Sequence, residues 1–229
     1  MKKILILMFF SASLSMHAQG KMFKLYHDAA ALTADANAVI KDFTVKVNAI
    51  TPVMGVTPAA IVNTQPYLIF YLSKSNQVNL PVWREVIPEQ KSFFTKLAGS
   101  AEEGEKMFGY FFNGFYVAHE MGHALQHASG KSDPNLYRNE YTANTIAILY
   151  WRKTGQTQEL KQCYDYAKKM VKQLPNPVPE GEDPVQYFNE HYEELGADPY
   201  KYGFYQFAQF VKIYEDQSLG DFDSYIKNF

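Results

Sequence analysis

The sequence contains a single cysteine, Cys163, and no concentration of basic residues. One cysteine cannot form a disulfide within the chain, and it excludes a zinc site built from several thiolates. The net charge is −2, and lysine and arginine are scattered. Because phosphate binding needs clustered basic side chains, nucleic acid is not expected as a partner. Internal repeats and low-complexity tracts are also lacking, which leaves an ordinary globular domain.

The chain also lacks an apolar run long enough to span a bilayer. Its longest apolar run, from Ile4 to about Leu14, follows two lysines and precedes small residues. This arrangement is typical of a secretory signal peptide, and we predict cleavage after Ala18. An N-terminal anchor or a buried core helix is the alternative. The prediction is a signal peptide over 1–18 and a domain over 19–229, exported to the periplasm or secreted, with no stable membrane insertion after cleavage.

Residue patterns in the remainder predict an α+β fold that is mostly α, with a small sheet in the N-terminal third. "PYLIFYL" (66–72) and "QVNLPVW" (77–83) have strand composition, although Pro81 restricts the second to an edge or ends it. Residues 51–60 resemble a loop. Helical patterns cover most of the rest, and the predicted segments are 21–47, 88–98, 101–129, 139–155, 157–174 and 202–216. In the long segment 101–129, a break near Gly104 or Gly109 is an open alternative.

Three of the six histidines lie in "VAHEMGHALQH", residues 117–127. His119 and His123 are four residues apart, so in a helix both rings share one face and can bind one zinc ion. Glu120 is rotated by about 100°, where it can take a proton from zinc-bound water. His127 lies about 12 Å from His119 along a helix, too far for the same ion. A purely structural helix is disfavoured, because burying these polar groups without a partner is costly.

Catalytic zinc normally has three protein ligands, and Glu140 is the best candidate for the third. It opens "NEYTANTIAILYW" after a loop that can reverse the chain and lay a second helix against the first. Asn144, one turn further on, is placed to hydrogen-bond a ligand. Asp133 and Asp165 are the weaker alternatives. The predicted metal ligands are therefore His119, His123 and Glu140, around one Zn²⁺ ion.

"HEMGH" followed by "NEYTAN" resembles the gluzincins, zinc metallopeptidases whose third ligand is a glutamate on the next helix. The E-x-x-A-N form is also similar to the compact bacterial metallopeptidases of the ImmA/IrrE type. The resemblance covers about residues 105–152. It implies a zincin-like core in which an edge strand, "PYLIFYL" or "QVNLPVW", runs above the active-site helix and binds an extended peptide.

The resemblance further implies a tyrosine or histidine, later in the chain, that stabilises the oxyanion of the reaction. The C-terminal stretch "EHYEELGADPYKYGFYQF" offers five candidates. They are His191, Tyr192, Tyr200, Tyr202 and Tyr205. Tyr202 and Tyr205, near the start of the last predicted helix, are the preferred pair.

These residues together predict an exported zinc metallopeptidase acting on a peptide or protein. Glu120 would act as the general base and then return the proton to the leaving amine. Endopeptidase, aminopeptidase and carboxypeptidase actions all remain open. The alternative is a non-catalytic protein of zincin fold that binds a peptide or glycan and keeps a structural or relic metal site.

Overall fold

A computed structural model describes residues 22–65 and 68–229 of the chain. The predicted signal peptide and the first two residues of "PYLIFYL" lie outside the described residues. Within them the chain forms ten α-helices, one π-helical segment, one short 3-10 turn and a three-stranded sheet. The predicted fold class, α+β and mostly α, is confirmed. No helix in the described ranges combines the length and apolar character needed to cross a membrane.

The elements are numbered in chain order. The helices are α1 (Ala29–Ile50), α2 (Pro88–Ala98), α3 (Ala101–Tyr110), α4 (Tyr116–Ala128), α5 (Leu136–Lys153), α6 (Thr157–Gln173), α7 (Pro184–Glu190), α8 (Tyr192–Ala197), α9 (Pro199–Glu215) and α10 (Phe222–Asn228). The strands are β1 (Ala59–Val62), β2 (Phe70–Leu72) and β3 (Gln77–Leu80). The 3-10 turn is Trp83–Glu85, and the π segment is Phe111–Phe115.

Side-chain caps fix where several helices begin. Ser100 accepts a hydrogen bond from the N–H of Glu103 at the start of α3, as the sequence predicts. Asp183 and Asp198 cap α7 and α9 in the same way, and each is followed by a proline at the first helical position. Asn135 caps α5, which therefore begins before the predicted residue 139.

The sheet has the order β1-β3-β2, with β1 parallel and β2 antiparallel to the central β3. β3 ends at Leu80, immediately before Pro81, which cannot donate a backbone hydrogen bond. Residues 51–60 are not entirely a loop, since β1 begins at Ala59. β2 is an outer strand, and it lies against α4. This strand therefore borders the helix that carries the histidines.

The predicted helix 101–129 is interrupted at Phe111–Phe115, which begins two residues after Gly109, so the alternative of a break near Gly109 is confirmed. Gly109 also allows close approach of the N-terminal segment, because a Cβ there would lie 2.6 Å from the backbone nitrogen of Leu25. A π-helical turn contains one residue more than an α-helical turn. The π segment therefore changes the rotation of α3 relative to α4.

α4 runs through the middle of the core. Val117, Ala118, Met121 and Leu125 on this helix are fully buried. α1, α5 and the strands β2 and β3 contact it from different sides. Because α4 is surrounded in this way, its side chains are held in fixed positions by close packing.

Candidate metal centre

His119 and His123 lie one turn apart on α4, with their rings turned to the same side. Their Nε2 atoms are 3.1 Å apart. His119 is 4 % exposed, and His123 is partly buried. The i, i+4 spacing thus brings both rings to one point, as the helical repeat requires.

α5 brings Glu140 to the same point. One carboxylate oxygen lies 3.3 Å from Nε2 of His119, and the other lies 3.5 Å from Nε2 of His123. The two helices approach closely because residue 122 is glycine. A Cβ on Gly122 would lie 2.9 Å from the Cα of Ala143. The loop between α4 and α5 and this glycine together position the carboxylate.

Two side-chain amides define how the imidazoles are protonated. Nδ1 of His119 lies 2.8 Å from Oδ1 of Asn144, and Nδ1 of His123 lies 2.9 Å from Oε1 of Gln126. The amide nitrogens of Asn144 and Gln126 both donate to other oxygens, which fixes these amide orientations. Each Nδ1 is therefore the donor, and in a neutral ring each Nε2 carries a lone pair. The two Nε2 atoms face each other.

The distances bring three ligand groups to one point. The Nε2 atoms are 3.1 Å apart, and the two oxygens of Glu140 lie 3.3 Å from His119 and 3.5 Å from His123, one oxygen to each ring. One ligand atom from each residue lies within 4.8 Å of the others. Two facing Nε2 atoms and a buried carboxylate are favourable only when a proton or a metal ion lies between them. The cluster could therefore hold one metal ion.

The pKa shifts of Glu140 and His123 also indicate that the cluster favours a cation. Burial acts to raise the pKa of Glu140, but the rings of His123 and His119 lower it well below its ordinary value. Burial likewise acts to lower the pKa of His123, but the Glu140 carboxylate outweighs this effect and raises it to about 9. The cluster thus attracts positive charge, and protons compete with a metal ion for it.

Glu120 lies beside the cluster and outside the group of three ligands. It is 5 % exposed and lines the same cavity. Burial raises its pKa, the rings of His119 and His123 oppose this rise, and the backbone N–H of Tyr71 donates to its carboxylate. A carboxylate with a raised pKa is a stronger proton acceptor than an exposed one. The role of Glu120 as a base stays a prediction.

A network of amides connects the cluster to α9. Nε2 of Gln206 donates to Glu140 over 2.8 Å and to the hydroxyl of Tyr202 over 3.1 Å. Its Oε1 accepts from Asn144, which also donates to Gln209. The Asn144 contact with His119 was expected from its position in α5. Gln206 was not identified from the sequence, although it lies one turn after Tyr202 in α9.

The two preferred tyrosines are in different places. Tyr202 lines the cavity of the cluster, and burial followed by the Glu140 charge raises its pKa. Tyr205 does not line this cavity. Its hydroxyl donates to the carbonyl oxygen of Pro184, and its ring packs against Phe188. The expectation that Tyr205 lies at the site is corrected, because it faces another side of α9.

The other candidates are also separated by the fold. His127 is exposed and lies near the ring of Tyr71, outside the cluster. Asp133 accepts a hydrogen bond from the backbone of the α5 cap, and Asp165 pairs with a lysine on the exposed surface of α6. Neither aspartate joins the cluster. His191 pairs with Glu194, whereas Tyr192 lines the cavity.

The cluster opens into a cavity of about 900 Å³. Strand β2, helices α2, α4, α5, α8 and α9, and the π segment form its walls. Its lining residues outside the cluster are mainly aromatic or apolar. They include Leu68, Ile69, Phe70, Phe93, Phe94, Phe112, Tyr116, Tyr192, Tyr202 and Phe207.

Comparisons of the chain with protein-family models, curated protein sequences and solved structures find no match.

Proposed function

We propose that the chain is a zinc-dependent metallopeptidase with a zincin-like core, as its resemblance to the gluzincins implies. The observation that carries the proposal is the meeting of the imidazoles of His119 and His123 with the Glu140 carboxylate, at separations of 3.1–3.5 Å. The Glu120 carboxylate lies beside them and outside the group of ligands. A structural zinc site is normally closed by four protein ligands, whereas a catalytic site keeps one position open. Three ligands with Glu120 alongside fit the second kind.

Each residue has a distinct role in this proposal. A bound zinc ion supplies Lewis acidity, which lowers the pKa of water to about 7 and polarises a carbonyl oxygen. Glu120 accepts the proton of the attacking water and passes it to the leaving amine. The hydroxyl of Tyr202 accepts from Gln206 and donates to Tyr192. In the reaction it would turn and donate to the oxygen that develops negative charge. Burial raises the pKa of Tyr202, so this hydroxyl stays protonated.

Strand β2 supports a peptide as the substrate. It is an outer strand of the described sheet, and the Tyr71 N–H that donates to Glu120 belongs to it. The edge of β2 that faces away from β3 therefore lies toward Glu120 and the cavity. An extended peptide can add to such an edge through main-chain hydrogen bonds. A peptide paired with β2 in this way would have one of its carbonyl groups beside the predicted metal ligands.

The decisive experiment compares wild type with Glu120→Gln. Purified protein is loaded with zinc, analysed for metal content and incubated with a peptide library. Wild type should bind about one zinc and cleave peptides in a chelator-reversible way. Glu120→Gln should keep the metal and lose about 10²–10⁴-fold in rate, the range for a general base. Equal turnover by the two proteins would refute the assignment of Glu120 as the base. Failure of the wild-type protein to bind zinc would refute the whole proposal.

The alternative function is a non-catalytic binding protein. The aromatic lining of the cavity favours it, since such walls also bind peptides or glycans. Under this alternative, zinc-loaded wild type would bind library peptides without cleaving them. Chelator-reversible cleavage distinguishes the two functions in one assay.

Export also belongs to the proposal, on the evidence of residues 1–18. The mature protein would begin at Gln19. N-terminal sequencing of protein expressed with its own leader tests this, and recovery of the intact N-terminus in the cytoplasm would contradict it.

A further inference from the structure

A second, smaller cavity (the outer cavity) adjoins the cavity of the cluster, beside the last turn of α4. Its volume is about 270 Å³. Tyr71 on β2 lines both cavities, so they meet at this residue. Met54 and Val56, from the loop before β1, form one wall of the outer cavity, and Ala124 and Ala128 on α4 form another. The outer cavity therefore continues the space around the cluster.

Hydrogen bonds fix the wall that contains Val56. The side chain of Asn48 on α1 accepts from the N–H of Met54 over 3.0 Å and donates to its carbonyl oxygen over 2.8 Å. Asn76 donates to the carbonyl oxygen of Val56 over 3.1 Å and accepts from the hydroxyl of Tyr71 over 2.9 Å. Val56 is nevertheless 77 % exposed, the highest value among the large apolar side chains that the structure describes. The loop thus holds an apolar side chain out toward water in a fixed place.

The outer cavity is apolar and uncharged. A single exposed valine is common on protein surfaces, but Val56 shares this cavity with Met54, Ala124 and Ala128. Ala124 and Ala128 are four residues apart and lie on one face of α4, where their small side chains leave the space open. None of the described residues that line the cavity is an aspartate, glutamate, lysine or arginine. A charged group would be costly to bury there, whereas an aliphatic side chain would be favoured.

The outer cavity lies on the path that β2 offers to a peptide. The N–H of Tyr71 donates to Glu120, and Ser73, two residues later, lines the outer cavity. Because a strand advances about 3.3–3.4 Å per residue, these two residues cover about 7 Å. Ala124 follows Glu120 by one turn of α4, about 6 Å in the same direction. β2 and α4 therefore border one groove that leads from Glu120 to the outer cavity.

We propose that the outer cavity binds an aliphatic side chain of the substrate peptide, two or three residues away from the bond that is cut. The proposal rests on the proposed peptidase function and adds a site away from the metal cluster. The occupant is an extended peptide, because the groove continues from the outer edge of β2. The substrate class is thus a peptide that carries Val, Leu, Ile or Met at a fixed distance from the cut.

The test uses zinc-loaded protein and synthetic peptides blocked at both ends, in which the three positions on each side of the cut are varied one at a time. Wild type should favour Leu, Ile, Val or Met over Gly and Asp at one position, two or three residues from the cut, by about 5- to 50-fold in kcat/KM. Zinc-loaded Glu120→Gln should bind the same peptides with the same order of Kd, measured by fluorescence anisotropy.

Val56→Lys tests the wall directly, and the high exposure of Val56 leaves the core untouched. The new ammonium should reverse the order at that position, so that Asp or Glu is favoured over Leu. Val56→Ala should weaken the preference for aliphatic side chains without reversing it. Val45→Lys is the matched control, because Val45 is 59 % exposed on α1 and lines neither cavity. It should leave the wild-type preference unchanged.

The outcomes separate the two proposals. Cleavage with no preference at the second and third positions from the cut, or the same profile in Val56→Lys as in wild type, would overturn the assignment of the outer cavity and leave the peptidase function standing. If peptides bind with the expected preference and wild type cleaves none of them, the peptidase function is overturned and the outer cavity remains a peptide-binding site. Neither binding nor cleavage of any peptide would overturn both.

Discussion

Replacement of Glu140 by glutamine tests the metal centre most directly. The change keeps the shape of the side chain and removes the charge that lies within 3.5 Å of both histidine Nε2 atoms. Loss of an outer partner of a metal ligand typically weakens binding 10–100-fold, so loss of a direct ligand should weaken it by at least about 100-fold. Zinc should therefore bind Glu140→Gln far more weakly than wild type.

Thermal unfolding measures this change. At free zinc about 100 times the wild-type Kd, binding to the native state adds about 2.7 kcal/mol to the free energy of unfolding. One kcal/mol shifts Tm by about 2–4 °C in a domain of this size, so zinc should raise the wild-type Tm by about 5–11 °C. In Glu140→Gln the same zinc concentration would add only about 0.4 kcal/mol, and Tm should rise by about 1–2 °C.

The matched control is Glu193→Gln, the same chemical change at an exposed position of the same cavity. This variant should keep the full wild-type shift, because the Glu193 carboxylate is not among the grouped ligands. If Glu140→Gln kept the wild-type zinc shift, or if Glu193→Gln lost it, the assignment of the third ligand would be refuted.

Three further predictions concern the support of the cluster. Gly122→Ala should lower the free energy of unfolding by about 1–3 kcal/mol and weaken zinc binding, because the added Cβ would lie 2.9 Å from the Cα of Ala143 and push α5 away. Calorimetry with and without zinc measures both effects. Gln206→Leu should weaken zinc binding about 10–100-fold, since Glu140 loses its amide donor; unchanged affinity by titration would contradict this. In chelator-treated protein the pKa of His123 is raised from 6.5 to about 9, because the folded protein favours the protonated ring. This preference stabilises the fold fully below pH 6.5, and the stabilisation is lost as the pH rises through 9. Zinc binds the deprotonated ring, so the Tm increase that it causes should grow between about pH 6.5 and 9, and a shrinking increase would contradict the assignment.

The cluster of His119, His123 and Glu140 was predictable because local geometry largely determines where these side chains lie. The spacing of His119 and His123 within one helix places both rings on one face whatever the rest of the chain does. The prediction that Glu140 joins the two histidines required one further assumption, that the loop after Gly130 reverses the chain. The capping residue of the next helix and the small pair Gly122 and Ala143 made that reversal favourable.

The position of α9 could not be derived in this way. Its cavity-lining residues follow the i, i+3, i+4, i+7, i+8 pattern of one helix face, and they are Pro199, Tyr202, Gly203, Gln206 and Phe207. The sequence offers a second aromatic face that includes Tyr205, and only the packing of α9 on α5 decides which face meets the cluster. The π segment is similarly hidden, because no residue preference distinguishes its five residues from an α-helix.

The amide network explains why this site can exist inside a packed core. A glutamine or asparagine side chain bonds every Nδ1 and one oxygen of Glu140, so the polar atoms that face away from the cluster are satisfied. At the centre the two Nε2 atoms and a carboxylate converge, and they can share a proton or a metal ion. Apolar residues of similar volume at these positions would stabilise the fold at least as well. A site whose periphery is bonded in this way and whose centre favours a cation is suited to binding one, and Glu120, which accepts from the Tyr71 N–H in the same cavity, lies where the proposed chemistry needs a base.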